Sequence, residues 1–162
     1  MTRMILAIGL MIALSGPVMA QDAGQIAGVQ SGQACVDCNL FQADLSYRNL
    51  PGIDVSRSRL RQANLSLATM NNATFDGADL SVANLFGARF TGASFANTNL
   101  RDAILVGSHF GGANLSGAEM SGANLSGAEM QSATGLTQNQ LDTACGDRAT
   151  QLPSGLHIGS CR

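Results

Sequence analysis

The 162-residue chain has no tryptophan, no lysine and only two histidines. Charged residues make up 12% of the sequence and aromatic residues 4%. With His109 and His157 as the two imidazoles and no lysine amine, no set of nucleophile, base and orienting residue can be assembled. We therefore expect a protein that is not an enzyme and that binds no cofactor. No apolar run reaches the length of a membrane span.

What the chain has is a five-residue period. From Leu40 to Met130 a large apolar side chain stands at every fifth position, and the small residue two places earlier is alanine in 13 of 19 units. Five residues advance about 500° on an α-helix, so the apolar stripe would wind around it. On a flat strand an odd period would send successive leucines to opposite faces. The chain must turn within each unit, and glycine at the unit's last position, such as Gly77, suits that turn.

Three segments give the unit its clearest form: Ala63-Asn64-Leu65-Ser66, Ala113-Asn114-Leu115-Ser116-Gly117 and Ala123-Asn124-Leu125-Ser126-Gly127. This pattern resembles the A-(D/N)-L-S-G consensus of the pentapeptide repeat family, over 95 of the 162 residues. The resemblance implies an all-β fold, a right-handed quadrilateral parallel β-helix in which four units complete one coil. The central and the small residue of each unit would face inward, and 19 units would give roughly five coils.

In such a helix residues twenty apart stack, so each side of the square can be read separately. The second face is centred on Leu45, Leu65, Leu85, Leu105 and Leu125. All four central phenylalanines fall on the third and fourth faces, in the middle of the rod: Phe75, Phe90, Phe95 and Phe110. This arrangement predicts that like side chains pack along ladders.

The chain divides into four segments. Residues 1–20 read as a removed signal peptide, because Arg3 precedes an apolar run and Val18-Met19-Ala20 offers small residues for cleavage. We therefore expect a periplasmic or secreted protein without a stable membrane anchor. Residues 21–34 form a loose arm or a partial N-terminal cap, residues 35–132 form the repeat rod, and residues 133–162 form a C-terminal cap. A short helix over about 137–144 is predicted from the capping-box spacing that begins at Thr137.

Export favours disulfides over free thiols. Cys145 and Cys161 flank the polar tail, and we predict that they pair with each other. Cys35 and Cys38 stand at the entrance to the repeats, where a local disulfide and two packed thiols are both compatible with the sequence. Asn39 follows Cys38, so a haem attachment motif is excluded, and without a second close pair a four-thiolate zinc site is not predicted.

A basic cluster, Arg48, Arg57, Arg59 and Arg61, is one candidate site, with anion binding as its functional interpretation. The same stretch breaks the repeat's rules. Arg48 and Ile53 replace small inward residues, and Pro51 lacks an amide hydrogen, so we expect a bulged coil there, with Pro51 removing a ladder donor. A distorted, solvated coil is the alternative explanation of the cluster.

The second candidate site is apolar and lies on the outward side of the second face. It consists of Tyr47, Leu67, Phe86, Ile104 and Val106. Stacked exposed apolar residues form a patch, which predicts binding to another protein or to a second copy of the chain. We therefore expect a rigid structural or interaction module.

The family resemblance offers a different function, because some members mimic DNA and act on type II topoisomerases. Without residues 1–20, eight arginines and eleven acidic residues remain, a net charge of −3. DNA is charged far more densely, so the rod is a poor mimic, and modulation of a type II topoisomerase is the alternative function. We expect no nucleic acid as a partner.

Overall fold

Parallel β-bridges with a constant separation of twenty residues hold the molecule together. The structure, a computed structural model, describes residues 21–161, and the predicted signal peptide therefore lies outside the described residues. Asn64 bridges Asp44 on one side and Asn84 on the other, and this spacing continues from Asn39 to Thr134. Each pairing is a single bridge, because the chain turns after every five residues. Four pentapeptides therefore complete one coil.

The central residue of every unit from Leu40 to Met130 points into the rod and is at most 5% exposed. The four phenylalanines meet across two adjacent faces. The rings of Phe75 and Phe95 stack with centroids 4.7 Å apart, and Phe90 meets Phe95 edge to face at 5.1 Å. Side chains of one kind thus pack along the rod as a continuous core.

The stretch expected to bulge keeps its register. Asn49 bridges Thr69 and Arg59 bridges Asp79, both at a separation of twenty. Pro51 occupies the position after the central leucine, where the amides of other units make no backbone-to-backbone ladder bond. At Ser66, for example, this amide donates to the Asn64 side chain at 3.1 Å. The expectation that Pro51 removes a ladder donor is therefore wrong.

Arg48 and Ile53 are accommodated in that coil in different ways. Ile53 is buried at 5% exposure, while Arg48 points into solvent from a corner of the square. The predicted bulge is therefore absent, because neither residue displaces the backbone from the ladder.

The last residue of each unit from Asp37 to Gly127 has a positive φ, which suits glycine, but Val82 occupies one such position at φ +58°. A branched Cβ is strained in this left-handed region. We expect Val82→Gly to raise the free energy of unfolding by about 1 kcal/mol, measured by urea denaturation. Val106→Gly, at an outward position of the next coil where φ is not positive, should instead lower stability. A loss of stability in Val82→Gly would contradict this reading of the turn.

The N-terminal end is closed by helix α1, Ala23–Gln30, and not by a loose arm. Val29 is fully buried against the first coil. The Asn39 amide donates to the Gln25 side chain at 2.7 Å, and the Gln30 side chain donates to the Asp44 carbonyl at 2.8 Å. These glutamines satisfy edge groups that no preceding coil could reach.

Helix α2, Gln138–Leu141, lies over the opposite end and is shorter than the predicted 137–144. Thr137 and Gln140 form the capping box, and the Gln140 side chain also donates to the carbonyls of Leu115 and Ala118, both at 2.9 Å. Leu141 is fully buried. The helix therefore covers the core and satisfies polar groups of the last coil at once.

The tail after α2 extends the ladder beyond the last repeat. Cys145 bridges Asn124, and Gln151 bridges Glu129, at separations of 21 and 22 instead of 20. Insertions relative to the repeat are thus absorbed while the pairing continues. The disulfide Cys145–Cys161 ties this tail together, as predicted.

The second disulfide, Cys35–Cys38, closes the turn at the entrance to the rod, so the alternative of two packed thiols does not hold. Ser58 lies beneath it, buried at 1% exposure. Its hydroxyl donates to the Cys35 carbonyl at 2.7 Å and accepts the Cys38 amide at 2.9 Å. The first turn is thereby joined to the coil below it.

Asp147 anchors the tail through one carboxylate oxygen, Oδ1. This oxygen accepts the amides of Gly127, Ala149 and Thr150 at 2.9 to 3.1 Å. These bonds, chiefly the one from Gly127, hold the pKa of Asp147 below its ordinary 3.8. A lowered folded-state pKa means that the stabilisation is present above about pH 4 and is lost as the pH falls through the lower value.

We therefore expect the melting temperature to fall between pH 5 and pH 2, and to fall less steeply in Asp147→Asn, which keeps the acceptor but cannot titrate. Asp142→Asn, at an exposed carboxylate that accepts one bond from the Gln138 side chain, is the matched control. Differential scanning calorimetry at several pH values measures this. Identical acid profiles for the parent and Asp147→Asn would refute the assignment.

Candidate interaction surface

An exposed apolar strip runs along the second face of the rod. Tyr47 is 75% exposed, Phe86 48%, and Leu67 and Ile104 44% each, while Val106 is half-buried. Tyr47 and Leu67 are twenty residues apart, as are Phe86 and Val106, so each pair stacks in successive coils. At the usual strand spacing the strip extends over about 14 Å. The structure thus brings the five predicted residues onto one side of the rod.

Val82 belongs to the same strip, although the sequence pattern assigned it to the first face. It is 45% exposed and stands at the corner four residues before Phe86 in the same coil. The sequence did carry a signal for it, because Val82 is a branched apolar residue at a turn position that suits glycine. The apolar strip therefore consists of six residues: Tyr47, Leu67, Val82, Phe86, Ile104 and Val106.

The polar side chains beside the strip are hydrogen-bonded to one another and to the backbone. The Asn64 side chain reaches Asp44 at 3.4 Å, and the Asn84 side chain reaches Asn64 at the same distance. The Asn84 side chain also accepts the amide of Phe86 at 3.1 Å. Polar groups within the strip are therefore bonded to one another, so contact with an apolar partner would leave few of them unsatisfied.

Leu67 lies along the rod and covers the next coil. Its Cδ2 atom is 2.7 Å from where a side chain on Gly87 would begin. Glycine at this position lets the leucine lie flat, which joins the upper part of the strip, Tyr47 and Leu67, to the lower part around Phe86. The strip is therefore continuous.

The four arginines of the predicted anion patch are dispersed. Arg57 makes a two-bond ion pair with Asp37 at 2.7 and 2.8 Å. Through that hydrogen-bonded pair Arg57 lowers the pKa of Asp37, while the pKa of Arg57 itself is raised. Arg59 instead lies over the Phe41 ring at 4.4 Å from its centroid, with Nη1 buried and without a hydrogen-bond partner.

Arg48 is eleven residues from Arg59 in a coil of twenty, which puts the two on nearly opposite sides of the rod. Arg61 follows Arg59 on the first face and is exposed. The structure therefore gathers no single basic cluster from these four residues.

His109 stacks between Arg89 and Glu129 in one column. Its Nε2 atom lies 3.3 Å from a Glu129 carboxylate oxygen, and its Nδ1 atom is buried without a hydrogen-bond partner. Within residues 21–161 no group of three or more histidine, cysteine or acidic side chains is placed to hold a metal ion. Over the same residues, neither helix is long and apolar enough to cross a membrane.

Comparisons with known proteins agree on the repeat. The family model for pentapeptide repeats matches residues 38–77, 63–102 and 93–131. Comparison with functionally curated proteins finds no match.

Similar solved structures include a pentapeptide repeat protein from the thylakoid lumen of Arabidopsis thaliana, at 31% identity over 70% of this chain and 81% of that one, with a TM-score of 0.64. HetL from Nostoc sp. PCC 7120, a protein involved in the regulation of heterocyst differentiation, is 30% identical over 72% of this chain and 51% of its own, with a TM-score of 0.45. Rfr23 from Cyanothece 51142 is 25% identical over 80% and 97%, with a TM-score of 0.37.

The matched segments span most of the described rod, and their register is that of the bridges and the buried central residues. The fold class is the right-handed quadrilateral β-helix of such proteins. The chain belongs to the pentapeptide repeat family.

Proposed function

We propose that this protein is an exported, non-enzymatic interaction module that binds a protein partner through the apolar strip. The observation that carries the proposal is a continuous row of exposed Tyr47, Leu67 and Phe86 on a face that is otherwise bonded within itself. Contiguous apolar patches that are exposed on a protein surface mark sites of interaction with other molecules. Aromatic anchors such as Tyr47 and Phe86 are typical of the residues that dominate binding energy.

Export is the second element of the proposal. Residues 1–20 have the pattern of a signal peptide, and all four cysteines form disulfides, Cys35–Cys38 and Cys145–Cys161. Disulfides persist in oxidising compartments, such as the periplasm or the exterior. The similar protein from Arabidopsis thaliana comes from the thylakoid lumen, which is also reached by crossing a membrane. A periplasmic or secreted location is compatible with each of these facts.

A DNA-mimicking role fits less well. Residues 38–132 carry six arginines and seven acidic residues, a net charge of −1. Duplex DNA carries one negative charge per roughly 1.7 Å of axis. One of these acidic residues, Glu119, is already paired with Arg101, and Asp37, just before this range, is paired with Arg57. Protection of gyrase in a supercoiling assay at submicromolar protein would favour this role over our proposal.

The test compares a variant with two aspartates on the strip and a variant with two aspartates at the equivalent positions of another face. We expect Phe86→Asp with Val106→Asp to lower partner retention in affinity capture from the native compartment at least tenfold, or about 1.4 kcal/mol. Ala96→Asp with Ser116→Asp, the corresponding stacked positions on the fourth face, should leave retention within twofold. Equal retention by all three proteins, each folded by circular dichroism, would eliminate the strip as the binding surface.

A further inference from the structure

Arginines line both long edges of the apolar strip. Arg61 and Arg101 share one column at the edge with the first face, and this column is the leading edge. Arg48 lies at the corner with the third face, and Arg89 stands on that face next to this corner, in the column of Thr69 and His109; the two arginines mark the trailing edge. All four are exposed. The strip is therefore flanked by positive charge on two sides.

About half of this charge is uncompensated, because Arg101 pairs with a carboxylate and the charge of Arg48 acts on the nearby carboxylate of Asp44. Among residues 21–161, Arg48, Arg61 and Arg89 make no salt bridge, while Arg101 pairs with Glu119 at 3.0 Å. Two exposed carboxylates, Asp44 and Asp102, share the strip and its edges. The Asp44 carboxylate is itself engaged by the Ser46 hydroxyl at 2.6 Å. With Glu119 included, four arginines lie beside three carboxylates, so positive charge exceeds negative charge by one around the apolar centre.

This distribution disfavours a second copy of the chain as the occupant. A two-fold interface brings the same patch of each subunit together. With the rods antiparallel, each leading edge would face the other's leading edge, so Arg61 and Arg101 would meet the same column. With the rods parallel, the leading edge would face the trailing edge, which carries Arg48 and Arg89. Both arrangements oppose like charges, which weakens association.

A bilayer fits the strip poorly. Interfacial binding buries apolar groups about 5–10 Å into the lipid headgroup boundary. Leu67, Phe86 and Ile104 are each less than half exposed, so apart from Tyr47 these side chains lie largely against the rod. A flat strip between arginines instead matches a flat partner with apolar residues at its centre and carboxylates at its rim.

We propose that the partner presents an acidic protein surface, in which aliphatic side chains contact Leu67 and Phe86 while flanking carboxylates pair with Arg61 and Arg89. This inference rests on the proposed function and gives the partner its chemistry. Guanidinium groups suit carboxylates because they can donate two parallel hydrogen bonds. Part of the affinity is then electrostatic, and it decreases as salt screens the charges.

The test uses a fluorescent peptide in which aspartate alternates with leucine, and a second peptide with lysine in place of aspartate. We expect the acidic peptide to bind the purified protein by fluorescence anisotropy, with affinity falling at least tenfold between 50 and 300 mM NaCl. Arg61→Glu with Arg89→Glu should weaken binding at least tenfold, and Arg61→Lys with Arg89→Lys less than the reversal. Arg148→Glu, in the tail, should stay within twofold.

Several outcomes would overturn the inference: equal binding of the lysine peptide, no binding of the acidic peptide at millimolar concentration, or unchanged affinity after reversal at Arg61 and Arg89. Preferential binding to vesicles containing 30% phosphatidylglycerol, or concentration-dependent dimerisation, would also overturn it. Phe86→Ser separates the two claims. If this uncharged change abolishes binding while the arginine reversals do not, the interaction surface stands and its acidic partner falls. If neither affects binding, both fall.

Discussion

Phe95→Ala should lower the free energy of unfolding by about 4 kcal/mol, the largest effect of any single substitution we consider. Phe95 is fully buried, and its ring meets those of Phe75, Phe90 and Phe110 at 4.7, 5.1 and 5.3 Å between centroids. Truncation removes all three contacts and leaves a cavity in the middle of the rod, where coils on both sides hold the backbone in place. Urea denaturation followed by circular dichroism measures the change.

Phe41→Ala is the matched control for this prediction. Phe41 lies on the outside of the first coil, where its ring contacts the Arg59 guanidinium. We expect a loss of about 1 kcal/mol there, because an exposed cation–π contact and partial burial are removed. A loss under about 2 kcal/mol for Phe95→Ala would contradict the aromatic core described above.

Removal of the Cys145–Cys161 disulfide should have the second largest effect. It closes a loop of 17 residues, and replacing both cysteines by serine should cost about 3 kcal/mol on the loop-entropy model. The tail should loosen first, since Cys145 bridges Asn124 at the end of the ladder. Hydrogen exchange should therefore rise in residues 143–161 before it rises in the coils. Urea denaturation and exchange mass spectrometry give the two readouts.

The Cys35–Cys38 disulfide provides the comparison, because it closes a loop of only four residues. Its double serine variant should cost less, about 2 kcal/mol. The Ser58 hydroxyl still joins the backbone of both positions to the next coil. If the short loop proved the more costly to open, or if exchange in the tail did not change, the C-terminal disulfide would not have the role assigned to it.

The repeat made the rod predictable because each of its rules is local. A residue at the centre of a unit is buried whatever its identity, so the positions of Leu85 or Phe90 followed from counting. Prediction failed where a residue's backbone role mattered. Pro51 was expected to break the ladder, but its position in the turn donates no ladder bond in other units, which spacing alone does not reveal.

The ends of the rod were less predictable than its middle. Residues 21–34 have no repeat, and nothing in their composition shows that Gln25 and Gln30 bond to the first coil. After Ser132 the separations of 21 and 22 residues conceal the pairing of Cys145 and Gln151 with the last coil. These contacts form only when the two ends of the chain fold back onto the rod, and the repeat period of the sequence does not reveal them.

The apolar strip, unlike the ends of the rod, was predictable because it follows the twenty-residue period. The twenty-residue period of the repeat places Tyr47 over Leu67 and Phe86 over Val106. Val82 was missed because turn residues at the corners belong to two faces at once. The separation of Arg48 from Arg59 was missed because nearness in sequence was taken for nearness in space, although eleven residues cross about half of a coil. Arg57 and Arg59 are neighbours in sequence, but one pairs with Asp37 and the other lies over Phe41.

Site-specific photocrosslinking around one coil tests the central claim most directly. Ser81, Phe86, Thr91 and Ala96 occupy the equivalent outward position on the four successive faces of a single coil. A benzophenone side chain introduced at each of them, in cells that produce the protein, should give a protein adduct predominantly at position 86. Equal adducts at all four positions, or a dominant adduct at Ser81, Thr91 or Ala96, would contradict the assignment of the second face as the binding surface.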